Sequence, residues 1–266
     1  MRVTDIYYAG YGPFAGHEVR HLDVNDERVL FLGISGSGKS TLFLAVQMLW
    51  DQLERHLAHE NPLYMGRGNL AMVFDEMPFG QGVICWGSKA FCKKVTANHP
   101  QAKHLGTDGE TFWGNWPDES YDYANIATAD EPLDWKSLLV FSPEAMEAAN
   151  QLLVGKHLEN CCGSLQVCLD NTIRHSADQL SMGEKRICHL CARAGAALKP
   201  GGLLLLDEPD VHLHPSQCLG VMTTLENLVL DKGGQMWVIS HKETLWQRYE
   251  DVGQVIVLTR EEAHHA

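Results

Sequence analysis

The stretch Gly33-Ile34-Ser35-Gly36-Ser37-Gly38-Lys39-Ser40-Thr41 lies between two apolar runs of different rhythm. Val29 to Leu32 before it is continuous, as in a strand buried on both faces, whereas Leu42, Ala45, Leu49, Leu53 and Leu57 after it recur at near-helical spacing. A glycine loop entered from a strand and left by a helix, with the pattern Gly33-x-x-x-x-Gly38-Lys39-Ser40, is a Walker A loop in its proper context. The glycines let backbone amides turn inward on a nucleotide's phosphates, and the helix start adds partial positive charge. Ser35, Gly36, Ser37 and Thr41 complete the cradle, Lys39 is expected to reach the outer phosphates, and Ser40 to ligate Mg²⁺.

Such a site needs carboxylates at the end of a neighbouring strand. Leu203-Leu204-Leu205-Leu206-Asp207-Glu208-Pro209 supplies them: four apolar residues make a buried strand, and its end delivers two acids to the sheet edge where ligands bind. Asp207 is expected to hold Mg²⁺, directly or through water, and Glu208 to polarise the attacking water. Between the two motifs, Leu180-Ser181-Met182-Gly183-Glu184 reads locally as a helix start, with Ser181 as N-cap and Glu184 three residues on. Trp237-Val238-Ile239-Ser240-His241 sets a histidine at the end of a further strand.

The rest of the chain reads as an alternation. Strands are expected at Val3–Tyr8, His17–Val24 and Arg28–Leu32, a helix over 39–58, and a hairpin over 69–75 and 83–91. Residues 105–134 show no period and read as an irregular insertion. Then follow a strand Leu138–Phe141, a helix opened by Pro143 and running to about Leu158, and a strand Leu165–Leu169. A helix after Gly183, strand Leu203–Leu206, helix 215–230 and strands Met236–Ile239 and Val255–Leu258 complete it. Strands alternating with helices predict a mainly parallel, doubly wound sheet.

Four motifs in this order, over residues 33–241, resemble the ATP-binding-cassette superfamily: Walker A, the Ser181-Met182-Gly183-Glu184 signature, Walker B and the switch histidine His241. Transporter cassettes usually carry Gly-Gly inside the signature. Here Met182 replaces the first glycine, and the Ser-x-Gly-Glu form is similar to the SMC, RecF and OLD-type ATPases, as is the run Asp210-Val211-His212-Leu213-His214-Pro215 after Walker B. The resemblance implies an α/β P-loop NTPase, an ABC-type head with a mainly parallel doubly wound sheet. To this it adds an N-terminal antiparallel β subdomain and a short inserted helical or irregular segment. It also implies a single domain over residues 1–266, with the nucleotide-binding core in 1–60 and 160–266 and the insertion in 61–159. ATP and Mg²⁺ are the implied cofactors and ATP hydrolysis the implied activity. The implied assembly is a head-to-tail homodimer in which Ser181 and Gly183 of one copy close over the ATP held by the other. His241 would contact the γ-phosphate.

Two features depart from the SMC pattern: no heptads occupy the roughly 140 residues between Lys39 and Ser181, so any arm is short, and no Q-loop glutamine is evident. Gln81 falls in the hairpin turn, and the strand Leu138–Phe141 ends in Ser142-Pro143. Tyr11 and Phe14 are candidates to stack on adenine, core packing being the favoured reading of both.

The net charge of −13 argues against a chain coated in nucleic acid. Lys89, Lys93, Lys94 and Lys103 form a local exception, read first as a solvated strand and turn and second as a patch for nucleic acid or a partner. The eight cysteines sit mostly among apolar neighbours, which suits a reducing compartment better than a disulfide framework. Cys188-x-x-Cys191 has the spacing of a zinc half-site, yet a three-residue step also marks the apolar face of a helix, the favoured reading. With no apolar run long enough for a membrane span and no secretory leader, the expected location is the cytoplasm. The favoured function is an ATPase regulating a partner, in nucleic-acid processing or as controller of a phage-defence effector such as a nuclease or toxin. The ATP-binding subunit of a transporter is the alternative.

Overall fold

The computed structural model describes residues 2–10, 14, 18–57, 68–77, 80–101, 103–107, 112–113, 125–128, 132–169 and 173–259. Its centre is a five-stranded parallel sheet in the order β14-β3-β13-β12-β8. The strands are β3 (Arg28–Leu32), β8 (Ile126–Thr128), β12 (Leu203–Asp207), β13 (Gln235–Ile239) and β14 (Gln254–Val257). Continuous apolar runs form its middle because both faces are covered. Leu30, Leu204, Leu206, Met236 and Val238 point to one core, and Val29, Phe31, Leu203, Leu205, Trp237 and Ile239 to the other.

On the second face lies α1 (Lys39–Leu57), sandwiched between the parallel sheet and a mainly antiparallel one. That second sheet runs β2-β1-β4-β5-β6-β7, built from β1 (Arg2–Ala9), β2 (Arg20–Asp23), β4 (Asn69–Met77), β5 (Gly80–Trp86), β6 (Lys103–Thr107) and β7 (Phe112–Trp113). Leu42, Val46, Leu49 and Leu53 on α1 meet Ile6, Leu70, Met72 and Phe74, so one amphipathic helix ties the two sheets. The outer side of the antiparallel sheet is covered by α2 (Lys89–Asn98) through Phe91, Cys92 and Val95.

The first face carries α3 (Trp135–Phe141), α4 (Pro143–Leu152), α5 (Met182–Ala192), α6 (Pro215–Leu230) and α7 (Glu243–Val252). Beside them stands a three-stranded antiparallel sheet of β9 (Lys156–Cys161), β10 (Ser164–Leu169) and β11 (Ile173–Ser176). Leu158, Leu165 and Val167 join it to the same core.

Four sequence expectations are corrected. The strand at 83–91 stops at Trp86, and the lysine-bearing stretch after it is helical: Ser88 caps α2 by accepting from the Phe91 N–H, and Phe91, Cys92 and Val95 share one buried face. Residues 138–141 are helix, not strand, because Asp134 N-caps α3; Leu139 and Val140 are buried while Phe141 is 82% exposed. The helix opened by Pro143 ends at Leu152, where Leu153 turns extended, and β9 occupies the remainder of the stretch. Inside the stretch without period, β8 pairs with β12 as an edge of the parallel sheet, a partner too distant in sequence to be read locally. The residues following β8, 129–131, lie outside the described residues, as does most of 105–134. Gln81 belongs to β5 of the antiparallel sheet.

Candidate active site

Three strands end side by side. Ile239 of β13 is paired with Phe31 of β3 on one side and with Asp207 of β12 on the other. The segments that follow them, the glycine loop, Glu208 and Ser240-His241, therefore emerge at one sheet edge. Ser35, Gly36, Gly38, Lys39, Ser40, Thr41, Asp207, Glu208, Ile239 and His241 line one cavity of about 180 Å³ there.

Lys39 is 6% exposed, and its ammonium donates to the carbonyls of Gly33 at 2.8 Å and Ile34 at 3.2 Å. A buried cation held by two loop carbonyls keeps donor capacity for an anion in the cradle. Ser40 and Asp207 offer hard oxygens to the same space, the donor type Mg²⁺ takes. Ser37 is buried, and its hydroxyl finds no hydrogen-bond partner among the described residues. It shapes the loop from beneath, where its N–H donates to Ile34 O at 3.1 Å. The residues present thus fit a nucleotide triphosphate with its metal.

Gly38 has φ +96°, and a Cβ there would stand 2.4 Å from the Phe14 ring. Phe14 is 3% exposed, packed edge-on against Tyr8 at 4.6 Å with the Arg20 guanidinium 5.7 Å from its ring centre. It underpins the loop and offers no face to a base, so it has the core role; Tyr11 lies outside the described residues. Gly38→Ala combines left-handed strain with overpacking and is expected to cost about 2–4 kcal/mol of stability, read as a lower urea midpoint.

Glu208 is held at φ +45°, its N–H donating to Ile239 O at 2.9 Å. A left-handed non-glycine residue just past a buried strand is backbone strain at the sheet edge where the carboxylate is displayed. His241 Nε2 stands 3.7 Å from Glu208 Oε1, and Lys242 Nζ stands 3.4 Å from Asp210 Oδ2, so the segment after β13 is tied to that after β12. His214 caps α6 through Ser216.

Ser181 and Gly183 do not line the phosphate cavity. The capping box forms as expected: the Glu184 N–H donates to Ser181 Oγ at 3.3 Å, and the Ser181 N–H to Glu184 Oε2 at 2.8 Å. Burial works to raise the Glu184 pKa, but the bonds from Lys156, 2.8 Å away, and from Ser181 outweigh it and hold the carboxyl below its usual range. Gly183 is dictated by close approach, since a Cβ there would meet His212 O at 2.7 Å.

Between the signature helix and the carboxylates opens a larger cavity of about 650 Å³. Ser40, Asp207 and Glu208 line one side and Met182, Lys185, Arg186 and His189 the other, with Trp135, Val211 and His212 between. Sequence reasoning missed this cationic wall. Its signal was present, because residues 182, 185, 186 and 189 follow the i, i+3, i+4, i+7 rhythm of one helix face. Cys188 and Cys191 occupy the opposite, buried face of α5, where burial pushes the Cys188 thiol up to about 12. Lys89, Lys93 and Lys94 are exposed on α2, away from both cavities; the Lys103 side chain lies outside the described residues.

Solved structures share the fold of this chain over nearly its whole length. The SMC head domain from Thermotoga maritima superposes with a TM-score of 0.59 at 16% identity, covering 97% of this chain and 94% of its own. The SmcHead bound to the C-winged helix domain of ScpA gives 0.60 at 14% identity, covering 93% and 92%. The fold is that of an SMC head. A third such head, with an extended coiled coil and bound to the C-terminal domain of ScpA derived from Pyrococcus furiosus, gives 0.57 at 12% identity, covering 92% and 91%. The family profile described as "AAA domain, putative AbiEii toxin, Type IV TA system" matches residues 170–231, the segment holding the signature helix, Walker B and α6. No curated protein matches the chain. Among the described residues no helix is long and apolar enough to cross a membrane.

Proposed function

We propose that the chain is a Mg²⁺-dependent ATPase whose bound nucleotide joins two copies head to tail, and that hydrolysis reopens the pair to time the action of a partner. The observation carrying this reading is the convergence of Lys39, Ser40, Asp207, Glu208 and His241 on one small cavity while Ser181 stands apart from it. Lys39 and the loop amides neutralise the phosphates, and Ser40 and Asp207 hold the metal, which supplies charge stabilisation to the leaving and transferred groups. Glu208 accepts the proton of the attacking water, and His241, beside it, donates to the γ-phosphate. Ser181 and Gly183 have no phosphate to meet in their own copy. An exposed helix N-terminus with a hydroxyl suits the γ-phosphate of a second copy.

The partner is a protein, by analogy with heads whose structures hold ScpA, and the match to a toxin–antitoxin family segment supports an effector such as a nuclease or toxin in phage defence. Lys89, Lys93 and Lys94, with Lys103, are the candidate contact for nucleic acid. The expected place of action is the cytoplasm. Phosphate release by the purified chain should need added Mg²⁺ and fall to background with EDTA; turnover indifferent to EDTA would overturn the reading.

A further inference from the structure

The sheet of β9, β10 and β11 brings three metal-ligating side chains of different chemistry to one point away from the nucleotide cavity. His157 on β9 pairs directly with Cys168 on the central strand β10, and Glu159, two residues along β9, shares the face of His157. One ligand atom of each, an imidazole nitrogen, a carboxylate oxygen and the thiol sulfur, lies within 4.8 Å of the others. His157 Nε2 and Glu159 Oε1 are 2.9 Å apart. Cys168 is buried between its flanking strands, while the His157 and Glu159 side chains are each 35% exposed, so the point opens to solvent on one side.

We propose that His157, Glu159 and Cys168 form a binding site for a zinc-class divalent transition metal. A mixed nitrogen, sulfur and oxygen set suits a borderline-soft ion, whereas Ca²⁺ and Mg²⁺ take oxygen ligands throughout. Three protein ligands leave a tetrahedral position for water. The ion replaces the His157–Glu159 hydrogen bond, and the Cys168 thiol releases its proton to solvent. Neutral imidazole, thiolate and carboxylate then balance the 2+ charge of the metal.

Arg174, opposite Cys168 on β11, pairs its guanidinium with Glu159 Oε2 at 3.1 Å, leaving Oε1 on the His157 side, and also reaches the Cys168 thiol. That is the position of an outer partner that orients a ligating carboxylate. The strand carrying the site also anchors the signature turn, since the residue before His157 is Lys156, which holds Glu184.

The test is titration of the metal-stripped full chain with Co²⁺, followed by absorption, and with Zn²⁺, followed by calorimetry. One equivalent should bind and give the near-ultraviolet charge-transfer band of a cobalt thiolate. Cys168→Ser should abolish the band, and His157→Gln, at a half-exposed position, should weaken Zn²⁺ binding at least about tenfold. Cys161→Ser/Cys162→Ser should retain both signals. Circular dichroism checks each fold, and His157→Gln alone decides the matter if Cys168→Ser does not fold. Absence of a thiolate band, its survival in Cys168→Ser, its loss with Cys161 and Cys162, or Zn²⁺ affinity unchanged by His157→Gln would each overturn the proposal.

Discussion

Glu208→Gln is expected to slow ATP turnover by about 10²- to 10⁴-fold, the range for removal of a positioned general base. The substitution is isosteric, and glutamine tolerates the φ of +45° as well as glutamate does, so the backbone bond to Ile239 O should survive. The amide, however, cannot take the proton of an attacking water. Removing a negative charge from the wall of the cavity proposed to take the phosphates should leave ATP affinity equal or higher. Single-turnover phosphate release and calorimetric titration separate the two effects. Turnover at the wild-type rate would assign the base elsewhere.

Lys39→Ala should be the second severe lesion, with a different signature. The ammonium is buried and shared between two loop carbonyls, so its loss removes the one lysine charge lining the phosphate cavity and also loosens the loop. Charge-assisted hydrogen bonds contribute about 1.5–3 kcal/mol each, so ATP affinity should fall at least about tenfold, and turnover by about 10²-fold or more. Both fall together here, whereas Glu208→Gln separates them. Unchanged affinity with unchanged turnover would remove Lys39 from the site.

The parts of this arrangement written in local sequence were legible, and the parts made by tertiary pairing were not. Residues 28–32 and 215–230 matched β3 and α6 end to end, because an apolar run closed by a glycine loop and a proline-opened amphipathic helix carry their own boundaries. The Leu138–Phe141 run misled because four apolar residues have no period of their own; the Asp134 cap, four residues upstream, decided for helix. Ser88 was an equally available signal for α2, followed by Phe91, Cys92 and Val95 on one face. The three-residue β8 has no such signal, being a strand only by virtue of β12 beside it. At the site, glycine spacing and acids after a strand were readable. The register that sets Asp207, Ile239 and Phe31 abreast was not, since it depends on which strands the chain chooses as neighbours.

Whether ATP joins two copies through the signature turn is decided most directly by static light scattering of Glu208→Gln, with ATP or ADP. The γ-phosphate alone distinguishes the two nucleotides, so ATP-gated association predicts a shift from the 29.7 kDa chain to twice that mass with ATP and not with ADP. Adding Ser181→Asp keeps an N-cap for α5 but sets a carboxylate against the partner's phosphate, and should abolish the shift without changing thermal stability. A dimer of equal strength with either nucleotide, or an ATP-dependent dimer untouched by Ser181→Asp, would contradict the clamp and leave the signature turn as a helix cap alone.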